Sequence, residues 1–116
     1  MFHGISHIDL QAVNLEQTRQ FWTDVIGFSI KSQGDGFVEI DSGNVAIRLI
    51  EVPAIEQTAT IRISVADVTK TYQQLLKAGA ISRYEPMKTP DLEKIACVTD
   101  FNGHSIILWR TLSEDE

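Results

Sequence analysis

Two eight-residue segments of the chain alternate apolar with polar or small residues: HIDLQAVN at 7–14 and TIRISVAD at 60–67. A period of two is typical of a half-buried strand, because successive side chains point to opposite faces of a sheet. In the first segment, one face carries His7, Asp9 and Gln11, and the other face is apolar. The pattern therefore predicts a half-buried strand at the start of each half of the chain.

A helical pattern follows each of these strands. Asn14 and Asp67 are N-cap residue types, whose side-chain oxygens accept first-turn N–H groups, and Gln17 completes a capping box. Apolar residues then recur at helical spacing until Gly27 and Gly79, which are suited to the position that follows a helix. The sequence predicts one helix between each cap and its glycine.

Three short strand-like runs follow each predicted helix, separated by glycine-containing turns. The segment 85–93 carries two prolines and is predicted to be a loop. The predicted strands are 28–32, 37–40 and 45–52 in the first half, and 81–84, 95–99 and 105–110 in the second half.

The shared order of strand, helix and three strands indicates an internal repeat. We expect a single domain made of two modules that together form one cleft. Module one covers about 1–52, a linker covers 53–58, module two covers about 59–112, and 113–116 form an acidic tail.

Composition and charge exclude several functional classes. The 116 residues carry a formal net charge of -6, which argues against nucleic acid and against an anionic membrane as partners. The apolar runs are too short to span a bilayer, and no signal peptide is expected at the N-terminus. A single cysteine excludes an internal disulfide. These features predict a cytoplasmic protein.

Two longer segments, HIDLQAVNLEQTRQFWTDVIGF at 7–28 and VTDFNGHSIILW at 98–109, resemble the vicinal oxygen chelate superfamily. That superfamily includes glyoxalase I, extradiol dioxygenases, and fosfomycin and bleomycin resistance proteins. Segment 7–28 is similar to the family's strand, helix and Leu-Gly-Phe turn, with Ile26 in place of leucine. Segment 98–109 is similar to its closing Asp-Pro-Asp-Gly hairpin, with Phe101 and Asn102 at the middle positions. The resemblance implies an α+β fold in which two βαβββ modules form curled mixed sheets around a cleft, with the helices outside.

The resemblance also implies where a metal would bind. Metal-dependent members place His, Glu or Gln ligands on the first and last strands of each module. In this chain those positions hold His7, Arg48, Thr60 and Ile107. Arginine stays protonated and isoleucine has no donor atom, so only His7 matches. We therefore expect no metal and no cofactor, and we expect His104, in the closing turn, to face solvent.

The remaining polar and aromatic side chains on the cleft side suit an organic ligand with an anionic or carbonyl group and a flat apolar part. Arginine offers a planar fork for carboxylates, and tryptophan offers a stacking face. The candidate ligand-binding residues are His7, Asp9, Arg48, Thr60, Arg62, Cys97, Ile107 and Trp109.

Each candidate also has a purely structural interpretation. Arg62 can pair with Asp9 or Glu39 across neighbouring strands. Trp109 can belong to the core or to a dimer interface. Cys97 can be a small buried hydrophobic residue, since no base is positioned to lower the pKa of its thiol. Glutamates in such strands are usually solvated charges.

Three functions stay open at this point. One is a metal-free protein that binds a small organic molecule, as bleomycin resistance proteins do. A second is a glyoxalase-like lyase, isomerase or dioxygenase, with His7 as general base and Arg48 as oxyanion stabiliser, or with a metal site that the sequence does not reveal. A third is a structural or regulatory module with a vestigial cleft. A homodimer is expected in each case.

Overall fold

Each half of the chain folds into a strand, a helix and three further strands, as the repeat predicts. The computed structural model describes residues 1–116, which divide into two units at 1–58 and 59–116. Each unit contains one four-stranded mixed sheet and one helical region, which confirms the α+β fold of two βαβββ modules. Neither helical region is long and apolar enough to cross a membrane.

Module one has the strand order β1-β4-β3-β2, with β1 parallel to β4 and the other pairs antiparallel. Its elements are β1 (His7–Ala12), α1 (Leu15–Arg19), a π-helical continuation (Gln20–Val25), β2 (Ser29–Gly34), β3 (Phe37–Asp41) and β4 (Ala46–Glu51).

The core of module one follows the predicted alternation. Apolar side chains from the central and edge strands are buried on the face that α1 covers, and the alternate polar side chains occupy the opposite face. The buried strand residues are Leu10, Ala12, Val38, Ile40, Ile47 and Leu49. We call the opposite face of each sheet its polar face.

The helix of module one begins as predicted but does not stay α-helical. Asn14 caps it by accepting the N–H of Gln17 at 3.0 Å. From Gln20 onward the helix widens to a π-helix, a rarer form with i→i+5 hydrogen bonds. The wider turn reduces the angle between consecutive side chains, and the neighbours Phe21 and Trp22 are both buried. Their rings meet edge to face, with centroids 6.1 Å apart.

Module two has the strand order β5-β8-β7-β6, with β5 parallel to β8. Asp67 caps its helix by accepting the N–H of Lys70 at 3.0 Å. Its elements are β5 (Thr60–Ser64), α2 (Val68–Lys77), β6 (Ile81–Lys88), β7 (Glu93–Thr99) and β8 (Ser105–Thr111).

The loop prediction for 85–93 is wrong at both ends, because β6 continues to Lys88 and β7 begins at Glu93. Pro86 fits there for two reasons. β6 is an edge strand of its sheet, and its register with β7 shifts between Tyr84 and Met87. A residue without a backbone N–H is tolerated at such an irregular edge.

The closing turn before β8 differs from the sequence prediction in the position of His104. Asp100 caps the turn: its Oδ1 accepts the N–H groups of Asn102 at 3.0 Å and of His104 at 2.9 Å. His104 does not face solvent, since only 1% of it is exposed. Its Nδ1 accepts the N–H of Ala59 at 3.1 Å, so the imidazole ties the turn to the residue before β5.

Candidate ligand-binding faces

A row of charged residues crosses the polar face of module one. Asp9, Arg48 and Glu39 are in register on β1, β4 and β3. Arg48 donates from Nε at 3.0 Å and from Nη2 at 2.8 Å to the same oxygen, Oε1 of Glu39. Its guanidinium also lies 4.8 Å from the ring centroid of Phe37. The Arg48 side chain therefore lies on the polar face of the sheet, together with Asp9 and Glu39.

Glu39 is not the solvated charge that the sequence suggested. Only 7% of the residue is exposed. The hydrogen bond from Arg48 lowers the pKa of its carboxyl group, against the opposing effect of burial, and the charge of Lys31 acts in the same direction as Arg48. Lys31 Nζ lies 3.8 Å from Oε2. Much of the charge of Arg48 is thus neutralised within the module.

His7 lies beside this row and contacts two residues close to it in sequence, Ser6 and Asp9. Its Nε2 is 3.1 Å from Oδ1 of Asp9, and its Nδ1 is 3.1 Å from Oγ of Ser6. A neutral imidazole that donates from Nε2 to the carboxylate leaves Nδ1 as a proton acceptor. Nδ1 would then accept from the Ser6 hydroxyl, so each ring nitrogen of His7 has a polar neighbour.

The residues at the family's metal-ligand positions do not fit a metal ion. Arg48 is a cation that already bonds Glu39, Thr60 offers one hydroxyl, and Ile107 has no donor atom. No group of three or more His, Cys, Asp or Glu side chains is arranged to hold a metal. The donor set therefore does not support the metal centre that the resemblance implies for metal-dependent members.

The polar face of module two holds a second arginine against an aromatic ring. The guanidinium of Arg62 lies 5.0 Å from the ring centroid of Trp109. Its Nη2 reaches the two carboxylate oxygens of Glu93 at 3.2 and 3.3 Å. The partner of Arg62 is thus Glu93, and not Asp9 or Glu39 as the structural interpretation proposed. Because Arg62 is about half exposed, this ion pair contributes little stability.

A third arginine, which the sequence interpretation did not select, reaches the same face. Arg83 Nη1 donates to Oγ of Ser105 at 3.1 Å. Ser105 is buried and lies in register with Thr60 on β5. Further along the face, Ile107 is in register with both Arg62 and Cys97.

The titratable neighbours of this arginine are uncharged at neutral pH. Burial raises the pKa of the Tyr84 hydroxyl, and burial also raises the pKa of the Cys97 thiol. Cys97 is 3% exposed, and its Sγ lies 3.7 Å from the carbonyl oxygen of Val98. A buried, protonated thiol is a poor nucleophile, which agrees with a packing role for Cys97.

The structure brings the candidates together in two groups, one on each polar face. Module one holds His7, Asp9 and Arg48, and module two holds Thr60, Arg62, Cys97, Ile107 and Trp109. The sequence interpretation missed Glu39, Arg83 and Tyr84. A charged residue inside an alternating strand, opposite an arginine, was the available signal for Glu39.

Comparison with known proteins agrees with this architecture. A glyoxalase-related enzyme from Fulvimarina pelagi superposes with a TM-score of 0.81 at 15% identity, covering 93% of this chain and 88% of that one. TioX from Micromonospora sp. ML1 superposes with a TM-score of 0.78 at 16% identity, covering 94% of this chain and 99% of that one. A glyoxalase/bleomycin resistance protein/dioxygenase from Nocardioides superposes with a TM-score of 0.77 at 17% identity, covering 98% of this chain and 87% of that one. At such identities the likeness shows the fold alone.

The family itself is shown by sequence. No curated protein matches the chain. The sequence model of one superfamily, however, matches residues 4–108, nearly the whole chain. The protein therefore belongs to the Glyoxalase/Bleomycin resistance protein/Dioxygenase superfamily.

Proposed function

We propose that this protein is a metal-free binding protein for a small organic molecule that combines an anionic group with a flat apolar part. One observation carries the proposal. The polar face of module two holds two arginines, Arg62 and Arg83, with one carboxylate, Glu93, beside the half-buried ring of Trp109. The excess positive charge would attract an anion, and the indole would stack on a planar group.

The hydrogen-bonding capacity of Arg62 supports the same proposal. Only its Nη2 is engaged by Glu93, at distances of 3.2 and 3.3 Å. Guanidinium carries five N–H donors, so Nε and Nη1 could bind a ligand without breaking the existing pair. Arg48 in module one has fewer free N–H donors for a ligand, because its Nε and Nη2 already bond one oxygen of Glu39.

A glyoxalase-like lyase, isomerase or dioxygenase is the second candidate, and one contact favours it. The Nε2 of His7 lies 3.1 Å from Asp9, which suits a general base. The oxyanion role expected for Arg48 is less well supported, since its fork is occupied by Glu39. Fold membership does not choose between binding and catalysis. A structural or regulatory module without a ligand is the third candidate.

The expected homodimer and the expected cytoplasmic location also stay proposals. Each sheet has two edge strands, and edges with unpaired backbone groups are common sites of association. Light scattering during gel filtration should give twice the 13.0 kDa of one chain. A mass of one chain at micromolar concentration would contradict the dimer.

Isothermal titration with a matched pair of probes tests the proposed function. Naphthoate has the flat body and the carboxylate, and naphthamide is its uncharged isostere. We expect naphthoate to bind more tightly than naphthamide, with the same affinity before and after treatment with a chelator. Absence of binding by both probes at millimolar concentration would contradict the proposal, and so would binding that requires an added metal.

A further inference from the structure

Arg83 stands apart from the other arginines in its charge environment. The chain has five arginines, and four of them form an ion pair with a glutamate. Arg83 forms none, and its hydrogen bond goes to the neutral hydroxyl of Ser105. A guanidinium that is held in place but not neutralised keeps its full charge for an incoming anion.

The direction of the Arg83 side chain places this charge over the sheet. Arg83 belongs to β6, whereas Ser105 belongs to β8, and β7 lies between them. The side chain therefore reaches across β7 on the polar face, where Arg83 stays exposed to solvent. Tyr84 and Cys97 are close enough to Arg83 to be affected by its charge.

An apolar path connects Arg83 with the aromatic end of the face. Ser105, Ile107 and Trp109 alternate along β8, so their side chains point the same way. The distance from the first to the third is about 13 Å at the usual rise per residue of a strand. A flat ring system lying over Ile107 would thus have a cation at one end and an indole at the other.

We propose that Arg83 is the residue that selects a carboxylate, and that the ligand is a flat aromatic or conjugated monocarboxylate whose ring system lies over Ile107 toward Trp109. Arg62, which is paired with Glu93 and lies against Trp109, would use its remaining donors at the ring end of the ligand and leave the carboxylate to Arg83. This inference rests on the proposed function and makes it specific, because it assigns the charge preference to one side chain.

The test measures the affinities of naphthoate and naphthamide for the intact chain and for three variants. R83Q removes the charge and keeps hydrogen-bonding capacity, R83K keeps the charge and removes the planar fork, and R110Q is the matched control. Arg110 lies on β8 of the same module, but it pairs with Glu116. Circular dichroism and thermal unfolding establish that each variant is folded.

We expect R83Q to weaken naphthoate binding at least about tenfold and to leave naphthamide binding unchanged, since a hydrogen bond to a charged group is lost. R83K should retain part of the preference, and R110Q all of it. If R83Q still prefers naphthoate as strongly as the intact chain does, the inference is wrong and the proposed function stands. If neither probe binds the intact chain, both fail.

Discussion

Arg48 and Glu39 face each other from neighbouring strands, and two guanidinium nitrogens share one carboxylate oxygen at 3.0 and 2.8 Å. Arg48 occupies a position where the family resemblance implies a metal ligand. At that position this chain has a cation that is bonded to a carboxylate of the same module. The polar face of module one is thereby held together by an internal ion pair.

Replacing Arg48 by methionine should lower stability more than replacing Glu39 by glutamine. R48M leaves a nearly buried carboxylate with Lys31 at 3.8 Å as its remaining cationic partner, whereas E39Q leaves no buried charge. Urea unfolding of both variants and of the double variant measures the difference. Equal losses of unfolding free energy in R48M and E39Q would show that the Glu39 carboxylate is well solvated without Arg48.

The same pair predicts how stability responds to acid. The pKa of Glu39 is lowered in the folded state, so the folded protein holds this carboxyl deprotonated where the unfolded chain takes up a proton. The contribution is complete above the ordinary glutamate pKa of about 4.3 and is lost as pH falls through the lower folded value. Between pH 6 and 3, roughly, stability should therefore fall less steeply in E39Q than in the original chain. If the free energy of unfolding fell in parallel with pH in E39Q and in the original chain, the Glu39 carboxylate would not contribute to acid sensitivity.

Asp100→Ala should destabilise module two by about 2–3 kcal/mol, because two buried N–H groups lose their acceptor. Those groups belong to Asn102 and His104, and Asp100 itself is 2% exposed. Asp91→Ala is a matched control at an exposed position. Urea unfolding monitored by circular dichroism measures the loss, and a change below about 0.5 kcal/mol would match an ordinary surface site instead.

Trp109→Ala should weaken naphthoate binding about three- to tenfold, the range that aromatic stacking provides. Trp109→Phe should retain most of the affinity, because a ring remains. Trp22 is fully buried in module one and serves as the matched tryptophan, with Trp22→Phe leaving affinity unchanged. Titration calorimetry provides the values. If W109A bound naphthoate with unchanged affinity, the Trp109 indole would not be in contact with the ligand.

Much of the fold could be predicted because its signals are local. Alternation located the strands, and Asn14 and Asp67 were recognisable as caps. The two elements that were missed depend on neighbours. Pro86 suggested a loop, but an irregular edge strand tolerates it. The π-helical turn buries the consecutive residues Phe21 and Trp22, which regular α-helical spacing would place further apart around the helix.

The candidate site was less predictable because its contacts are long-range. Alternation placed Arg48 and Arg62 on the polar faces, yet it could not choose their glutamate partners. Arg83 was missed because its side chain crosses a whole strand to reach Ser105. His104 was misplaced because its ring binds a backbone N–H from 45 residues earlier in the chain.

We propose that this superfamily member binds its ligand without a metal, and the metal content of the purified protein tests this proposal. The protein is dialysed against Zn²⁺, Ni²⁺, Mn²⁺ or Fe²⁺ in turn, then against metal-free buffer, and analysed by plasma mass spectrometry. We predict far less than one ion per chain in every case, because Arg48 and Ile107 cannot ligate. Retention of one ion per chain that is abolished by His7→Ala would show that the protein has a metal site that includes His7.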